Sequence, residues 1–282
     1  MHPMPHGRSP RRQRDLRTMN ATTAPLYKYV LLDGALVHEQ LKASPAFARA
    51  GALFEPLMPH PQQHLAGPML ISLDQAATDK NVGKQVHAVL NGFGHQLHIA
   101  VLTSHLALPA LARHLRSAVW FTDDSGESYG LRIADCRVMA YLPRILTPEQ
   151  WRAVTAPIAS WSIGDRQGKR IPLALDAART EHEGAFPGLR LTAAQIDQLI
   201  DAGEPDALLL RVGRPAGQVT SPWHHEDFAI AETCVRQWRE AGSADRALLL
   251  ELARVAFAAG VGSTRNAAWM KQAWQNVVAR RR

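Results

Sequence analysis

The chain has 282 residues, of which 46% are hydrophobic and 20% are charged, and its formal net charge is +7 at pH 7. This balance excludes an intrinsically disordered protein, and the length suffices for two packed lobes. No apolar run approaches the roughly 18–20 residues of a membrane span and no signal peptide is recognisable, so we expect a soluble cytoplasmic protein.

The positive charge is concentrated at the two ends of the chain. The whole chain has 32 Lys and Arg against 25 Asp and Glu, but residues 1–18 hold five Arg and one Asp, and residues 280–282 are all Arg. Residues 19–279 therefore hold 24 basic and 24 acidic residues. Nucleic-acid binding needs a basic face on the folded part, so we expect no nucleic-acid partner. We predict that residues 1–24 are a disordered basic extension, with translation starting at Met1 or Met19.

Strand-like and helix-like segments alternate in residues 25–176. Runs of β-forming residues predict seven short strands, Leu26–Leu32, Met69–Leu73, Leu97–Thr103, Val119–Thr122, Tyr129–Ile133, Ala159–Gly164 and Ile171–Leu175. Helical spacing predicts helices at Asn81–Leu90, at Leu108–Ala118 and around Trp151, where Thr147 is a plausible N-cap. This alternation predicts an α/β (α+β) N-terminal lobe with a mixed sheet flanked by helices.

The last third of the chain predicts an all-α C-terminal helical lobe at 191–282. Residues 177–190, rich in charge, Gly and Pro, form the predicted linker before it. Three apolar stripes with helical spacing then follow, namely Phe228, Ala231, Val235 and Trp238, then Leu248, Leu252, Val255 and Ala259, and then Ala267, Met270, Trp274 and Val277. Trp269 lies off the third stripe, which makes it a candidate interface residue.

No catalytic or metal-binding motif is recognisable. The chain has no Gly-x-Ser-x-Gly elbow, no glycine-rich phosphate loop in the right setting, and no spacing of its thirteen histidines that makes ligands converge. Cys136 and Cys234 are isolated from each other, which suits buried thiols in a reducing compartment. The sequence therefore favours a protein that is not an enzyme and that has no cofactor and no metal.

Four short stretches, in this order, carry a resemblance to a known family. They are Leu31-Leu32-Asp33-Gly34-Ala35, Ala66-Gly67-Pro68-Met69-Leu70, Leu111-Ala112-Arg113-His114-Leu115-Arg116 and Leu131-Arg132-Ile133-Ala134-Asp135. With them, residues 26–165 resemble the effector-chaperone (adaptor) domain of bacterial type VI secretion systems, domain-of-unknown-function family 4123. The chain departs from the family at Asp135-Cys136, where family members often have Asp-Pro.

The resemblance implies a non-enzymatic cytoplasmic adaptor with protein partners and without a cofactor. Such an adaptor binds a secreted effector toxin and helps to load it onto the secretion spike, through VgrG or a PAAR tip protein. The residues that the resemblance marks as structural or partner-binding are Asp33, Gly34, Gly67, Pro68, His114, Leu115, Arg116, Arg132 and Asp135. Among them, the two glycines suit tight turns in which a side chain would clash.

Arg132 and Asp135 flank a predicted strand end, and we expect them to pair with each other or with His114 and Arg116 on the neighbouring helix. The pairing favours an internal polar network that orients the helix on the sheet over a polar patch that grips the effector. Two other functions stay open. One is an enzyme of unrecognised type that uses His114, Arg132 and Asp135 as an acid–base group, and the other is an immunity protein that binds and inhibits a toxin.

Overall fold

The computed structural model of the protein describes residues 25–43, 54–91, 97–175, 186–214 and 224–281. The predicted extension at 1–24 and residues 177–185 of the predicted linker lie outside these ranges. The strands are β1 (Tyr27–Asp33), β2 (Phe54–Pro56), β3 (Pro68–Ser72), β4 (Ile99–Ser104), β5 (Trp120–Thr122), β6 (Ser128–Gly130), β7 (Ile158–Gly164), β8 (Arg170–Pro172) and β9 (Leu189–Arg190).

The helices of the first lobe are short and those of the second are long. They are α1 (Gly34–Ala43), α2 (Leu73–Thr78), α3 (Lys80–Asn91), α4 (Leu108–Arg116), α5 (Cys136–Met139), α6 (Leu142–Ile145), α7 (Pro148–Thr155), α8 (Ala193–Arg211), α9 (His224–Glu240), α10 (Arg246–Thr264) and α11 (Ala267–Ala279). The predicted fold class, a sheet flanked by helices followed by an all-helical lobe, is confirmed.

Six strands form the large sheet, in the order β2-β3-β1-β4-β7-β8. Each neighbouring pair in it is antiparallel. The small sheet has the order β6-β5-β9, and its β5–β9 pair is parallel. The predicted hairpin around residues 123–127 is present, because β5 and β6 pair directly across it.

β1 lies near the middle of the large sheet and is buried on both faces. Successive side chains of a strand point to opposite faces. Tyr29 and Leu31 therefore enter the main core of the first lobe, whereas Val30 and Leu32 enter a second cluster on the other face. Burial on both faces explains why this strand is an uninterrupted apolar run rather than an alternating pattern.

Helices cover both faces of this sheet. α4 places Leu111 and Leu115, which the sequence puts on one helical face, into the main core. α7 begins where predicted: the hydroxyl of Thr147 accepts a hydrogen bond from the amide of Gln150, and the Gln150 side chain accepts one from the amide of Thr147. Such a reciprocal capping box satisfies two backbone donors that a helix start otherwise leaves unpaired.

α8 connects the two lobes through their cores. Its first half packs Ile196 and Leu199 against the main core of the first lobe, and its second half buries Leu208 and Leu209 in the core of the helical lobe. The described part of the predicted linker, residues 186–190, also packs on the first lobe, where β9 pairs with β5. A single continuous helix thus ties the orientation of one lobe to that of the other.

The apolar stripe of α10 corrects the sequence-based prediction by one residue. The buried side chains of this helix include Leu249, Leu252, Ala253 and Ala256. Ala259, predicted on the stripe, is exposed, as is Ala267 at the start of α11. Residues 248–250 are all Leu, so helical spacing alone does not decide which of them faces the core. Packing against α9 and α11 makes that choice.

α10 also corrects the expectation that no segment is apolar enough to cross a membrane. By length and composition alone its 19 residues meet that requirement. In the structure its buried side chains belong to the core of the helical lobe, together with those of α9 and α11. A core helix of a soluble protein passes the same test, but only 28% of the apolar window of α10 is buried within the described residues. Packing within the lobe therefore accounts for part of its composition.

We predict that Gly34→Ala destabilises the fold by about 1–3 kcal/mol. A methyl group at Gly34 would collide with the backbone carbonyl oxygens of Leu65 and Gly67, which are not flexible side-chain ends. Urea unfolding followed by circular dichroism measures the change. The matched control is Gly262→Ala on α10, where nothing lies within 4 Å of an added methyl. The control should keep or raise the unfolding free energy, by up to about 1 kcal/mol. Equal stabilities of the two variants would contradict the steric account.

Candidate partner-binding site

Six of the nine residues marked by the family resemblance meet at one end of the large sheet. They are Asp33, Gly34, Gly67, Pro68, Arg132 and Asp135. Asp33 and Pro68 are register partners in the β1–β3 pair. The amide of Gly34 donates a hydrogen bond to the carbonyl of Gly67 at 3.0 Å. This hydrogen bond brings the ends of β1 and β3 together, and at both glycines an added side chain would collide with its neighbours.

Asp135 is the N-cap of α5 and is almost fully buried. Its carboxylate accepts a hydrogen bond from the amide of Arg137 at 3.0 Å. The same carboxylate binds the guanidinium of Arg137, with Nε at 2.9 Å and Nη2 at 2.6 Å. Only 2% of the Asp135 side chain is exposed. A buried carboxylate needs this many donors, because leaving it unpaired costs several kcal/mol.

Arg132 joins Asp135 to the end of β1. Its Nη2 lies 2.7 Å from Oδ2 of Asp33 and 3.4 Å from Oδ2 of Asp135. The structure thus has the predicted pairing of Arg132 with Asp135, and it adds Asp33, which sequence reasoning did not place there. Asp33 also accepts a hydrogen bond from the amide of Ala35. The arrangement fits an internal network that fixes α5 against the sheet.

The network continues across the lobe boundary through Asp206 of α8. Nη1 of Arg137 lies 3.7 Å from Asp206, and Arg166 in the β7–β8 turn binds the same carboxylate at 2.6 and 3.1 Å. The guanidinium of Arg166 also stacks on the ring of Phe228 of α9, 3.5 Å from its centroid. We call the following six residues, whose charges alternate, the acid–arginine network: Asp33, Arg132, Asp135, Arg137, Asp206 and Arg166.

The two buried carboxylates of the first lobe respond to this environment in opposite directions. Burial raises the pKa of Asp33, and the nearby Arg132 offsets this only in part. Burial also raises the pKa of Asp135, but the hydrogen bonds and charge of Arg137, with the charge of Arg132, outweigh it and hold that pKa below its usual value. The two pKa values differ in direction because Asp135 has two guanidinium partners, whereas Asp33 has one.

A cleft of about 360 Å³ opens beside the network, between the small sheet and α8. One wall is formed by Leu131, Val138 and Tyr141 of the first lobe, and the facing wall by Ile196 and Ile200 of α8. Arg132, Asp135, Arg137 and Asp206 also line it. The volume lies within the range of about 300–1,000 Å³ that is typical of binding pockets, and apolar walls with few polar groups are typical of them too.

The charge that this cleft presents to solvent is mainly that of Arg132. Its side chain is 46% exposed, whereas those of its partners Asp33 and Asp135 are 4% and 2% exposed. Arg137 and Asp206 are 15% and 19% exposed. The acidic partners of Arg132 are therefore covered, and its guanidinium is left at the surface next to an apolar groove.

The remaining motif residues, on α4, lie elsewhere. Nε2 of His114 is 2.8 Å from the carbonyl of Val154, and its ring packs against Phe186. Leu115 is fully buried in the main core. Arg116 binds Glu55 at 2.5 Å and the carbonyl of Pro56. Of the two alternatives expected from the sequence, Arg132 and Asp135 pair with each other, and α4 directs His114 to α7 and Arg116 to β2.

Sequence reasoning missed three members of the network, Arg137, Asp206 and Arg166. Arg137 carries a local signal, since it follows an N-cap by two residues and can reach back to the capping carboxylate. Asp206 and Arg166 carry none: they are 40 residues apart and belong to elements whose contact only the tertiary fold creates. Alternating charges that are close in space need not be close in sequence.

The other candidate sites are a metal site, the two cysteines and Trp269. Within the described ranges no three His, Cys, Asp or Glu side chains gather so that they could hold a metal ion. Cys136 and Cys234 are buried thiols, and burial raises the pKa of each to about 12, which suppresses thiolate chemistry. Trp269, the candidate interface residue, is partly buried against the core of the helical lobe.

Comparison with known proteins finds one family. Residues 28–153 match the family described as "Domain of unknown function (DUF4123)". No curated protein and no solved structure matches the chain. The matched residues run from β1 into α7 and include four members of the acid–arginine network, Asp33, Arg132, Asp135 and Arg137.

We predict that Asp135→Ala lowers the unfolding free energy by about 3–5 kcal/mol, because it leaves Arg137 buried without its main partner and removes a helix cap. Chemical denaturation measures the change. The matched control is Asp124→Ala in the β5–β6 hairpin, whose pair with Arg190 is exposed at 3.8 Å. Exposed pairs contribute little, so the control should unfold with wild-type stability. A similar loss in both variants would contradict the role given to burial.

We predict that the stability difference between wild type and Asp135→Asn shrinks on acidification. The folded-state pKa of Asp135 is lowered, so the carboxylate stabilises the fold above its unfolded pKa of about 3.9. That contribution is lost as the pH falls through the lower folded-state pKa. Denaturation curves between pH 7 and pH 3 test this, and a pH-independent difference would contradict it. Asp33, whose pKa is raised, has the opposite sign: its ionisation costs stability, and that cost disappears on protonation.

Proposed function

We propose that this chain is a type VI secretion effector adaptor, because residues 28–153 match the DUF4123 family, which is associated with such adaptors. It binds an effector toxin in the cytoplasm and helps to load it onto the secretion spike, at VgrG or a PAAR tip protein. The family match is the single observation that carries the proposal. It agrees with the resemblance of the four sequence stretches, which all lie within the matched residues.

The architecture supports a holding function. The cleft lies between the small sheet and α8, and the acid–arginine network beside it connects β1, α5, α8 and the β7–β8 turn. A surface held in place by such contacts loses little conformational entropy when a partner binds, which raises affinity. We therefore propose this cleft as part of the effector-binding surface, with the network as its support.

The alternative of an acid–base enzyme finds no support in the geometry. It requires His114, Arg132 and Asp135 to line one open pocket. Arg132 and Asp135 line the cleft. His114 instead lies against Val154 and Phe186, and it is buried at 8% exposure. The carboxylate of Asp135 is held by Arg137 and Arg132, which keep it ionised and occupied rather than available for proton transfer.

The proposal predicts a stable complex between this chain and the effector encoded beside its gene. The purified full-length proteins, mixed at micromolar concentrations, should co-elute from a size-exclusion column and give a saturable signal in titration calorimetry. An unrelated secreted toxin of similar size is the control. Separate elution of the two proteins over the whole micromolar range would overturn the proposal.

Co-expression separates an adaptor from an immunity protein. With an adaptor, the amount or the secretion of the effector should rise while its toxicity in the producing cell is unchanged. An immunity protein restores growth instead. Rescue of growth without any change in effector abundance or delivery would therefore favour inhibition over loading.

A further inference from the structure

The edge strand of the small sheet, β6, is open next to the cleft. Among the strands of the described residues β6 pairs with β5 only, and its three residues Ser128, Tyr129 and Gly130 are exposed. An exposed strand edge is a template for pairing with another chain. Gly130 also lines the cleft, so the open edge and the apolar groove form one continuous surface.

The hydrogen-bond pattern of the hairpin shows which backbone groups face outward. The amide of Leu131 donates to Val119 at 2.8 Å, and the amide of Asp123 donates to Glu127 at 3.0 Å. In an antiparallel pair, hydrogen-bonded and non-hydrogen-bonded positions alternate. The amides and carbonyls of Ser128 and Gly130 therefore point away from β5, toward the open side. Gly130 has no side chain to keep another backbone at a distance.

Two further features say what kind of segment fits. The groove beside Gly130 has aliphatic and aromatic walls, of which Ile200 is 58% exposed. At its rim the side chain of Arg132 is half-exposed, whereas the two carboxylates that it binds, Asp33 and Asp135, are buried. A carboxylate is the group that a guanidinium binds best, through charge-assisted hydrogen bonds.

We propose that an extended segment of the effector adds a strand to β6, places apolar side chains in the cleft and sets a carboxylate against Arg132. This rests on the proposed adaptor function and deepens it by naming the bound element. Backbone bonds to Ser128 and Gly130 hold the segment in register. The apolar groove and Arg132 select its side chains, as is general for strand addition at a sheet edge.

Hydrogen exchange on the complex with the neighbouring effector tests the pairing directly. The amides of Ser128 and Gly130 should exchange at least about tenfold more slowly in the complex than in the free full-length chain, because pairing protects them. The amide of Gly126, at the hairpin tip, is the internal control and should be unchanged. A complex in which Ser128 and Gly130 exchange as in the free chain overturns the strand addition.

Two pairs of variants test the same surface by affinity. Ser128→Pro removes an outward amide without removing a bond to β5, whereas Ser128→Ala keeps that amide. Ile200→Asn places a polar group in the groove, whereas Leu210→Asn makes the same change at an aliphatic residue of α8 that is 64% exposed and does not line the cleft. The first member of each pair should weaken effector binding about tenfold or more, and the second should leave it unchanged.

The outcomes distinguish this inference from the function on which it rests. If the wild-type chain forms a stable complex and the Ser128→Pro and Ile200→Asn variants bind the effector equally tightly, the cleft proposal is overturned. The adaptor function then still stands. Absence of any complex overturns both. If Ser128→Pro does not fold, as judged by circular dichroism, the proposal is tested by the hydrogen-exchange measurement and by the variants Ile200→Asn and Leu210→Asn.

The carboxylate is tested on the effector side, because Arg132 also binds Asp33 and Asp135. Photo-crosslinking from p-benzoylphenylalanine at position 200 identifies the bound segment. Changing its Asp or Glu to the matching amide should weaken binding about three- to tenfold. A crosslinked segment without a carboxylate, or one whose amide variant binds equally well, overturns the role of Arg132. A crosslink to the spike protein instead of the effector overturns the choice of partner.

Discussion

The carboxylate of Asp135 binds two guanidinium groups while 98% of its side chain is buried, and the positions of several elements depend on this contact. It caps α5, directs Arg137 toward Asp206 of α8 and holds Arg132 toward Asp33 at the end of β1. A buried ion pair adds little net stability compared with apolar packing, but removal of one partner is strongly destabilising. Its consequence here is therefore geometric: the contact links α5, α8 and the end of β1 to one another.

This constraint explains why the cleft has a defined shape. α8 packs into the cores of both lobes, and Asp206 on the same helix joins both Arg137 and Arg166. The helix is thus held by apolar contacts along its length and by charges at its middle. These contacts hold one wall of the groove between α8 and the small sheet, and among the described residues the neighbouring edge of β6 stays open. An apolar groove beside an open strand edge suits recognition of an extended chain.

Much of the fold was predictable from local pattern. The strands at β1, β3, β4 and β7, the β5–β6 hairpin and the helix capped by Thr147 are all present, because apolar runs, turn residues and caps act over a few residues. The face of α10 was predicted one residue out, since three successive Leu residues allow more than one register. By length and composition α10 also resembles a membrane span, and packing in the helical lobe buries only part of its apolar side chains.

The sequence by itself determined the two-lobe character, the concentration of positive charge at the chain ends and the family motifs. It offered the pairing of Arg132 with Asp135, three residues apart, as one of two alternatives. Only the tertiary structure decided that these two residues pair, that Asp33 completes the pair, that Arg137, Asp206 and Arg166 extend it, and that α4 directs His114 and Arg116 to α7 and β2. The physical reason is distance along the chain. Asp33 and Arg132 are 99 residues apart and Arg166 and Asp206 are 40 apart. Contacts of this range arise only when sheet order and helix packing bring the elements together, and no local propensity records them.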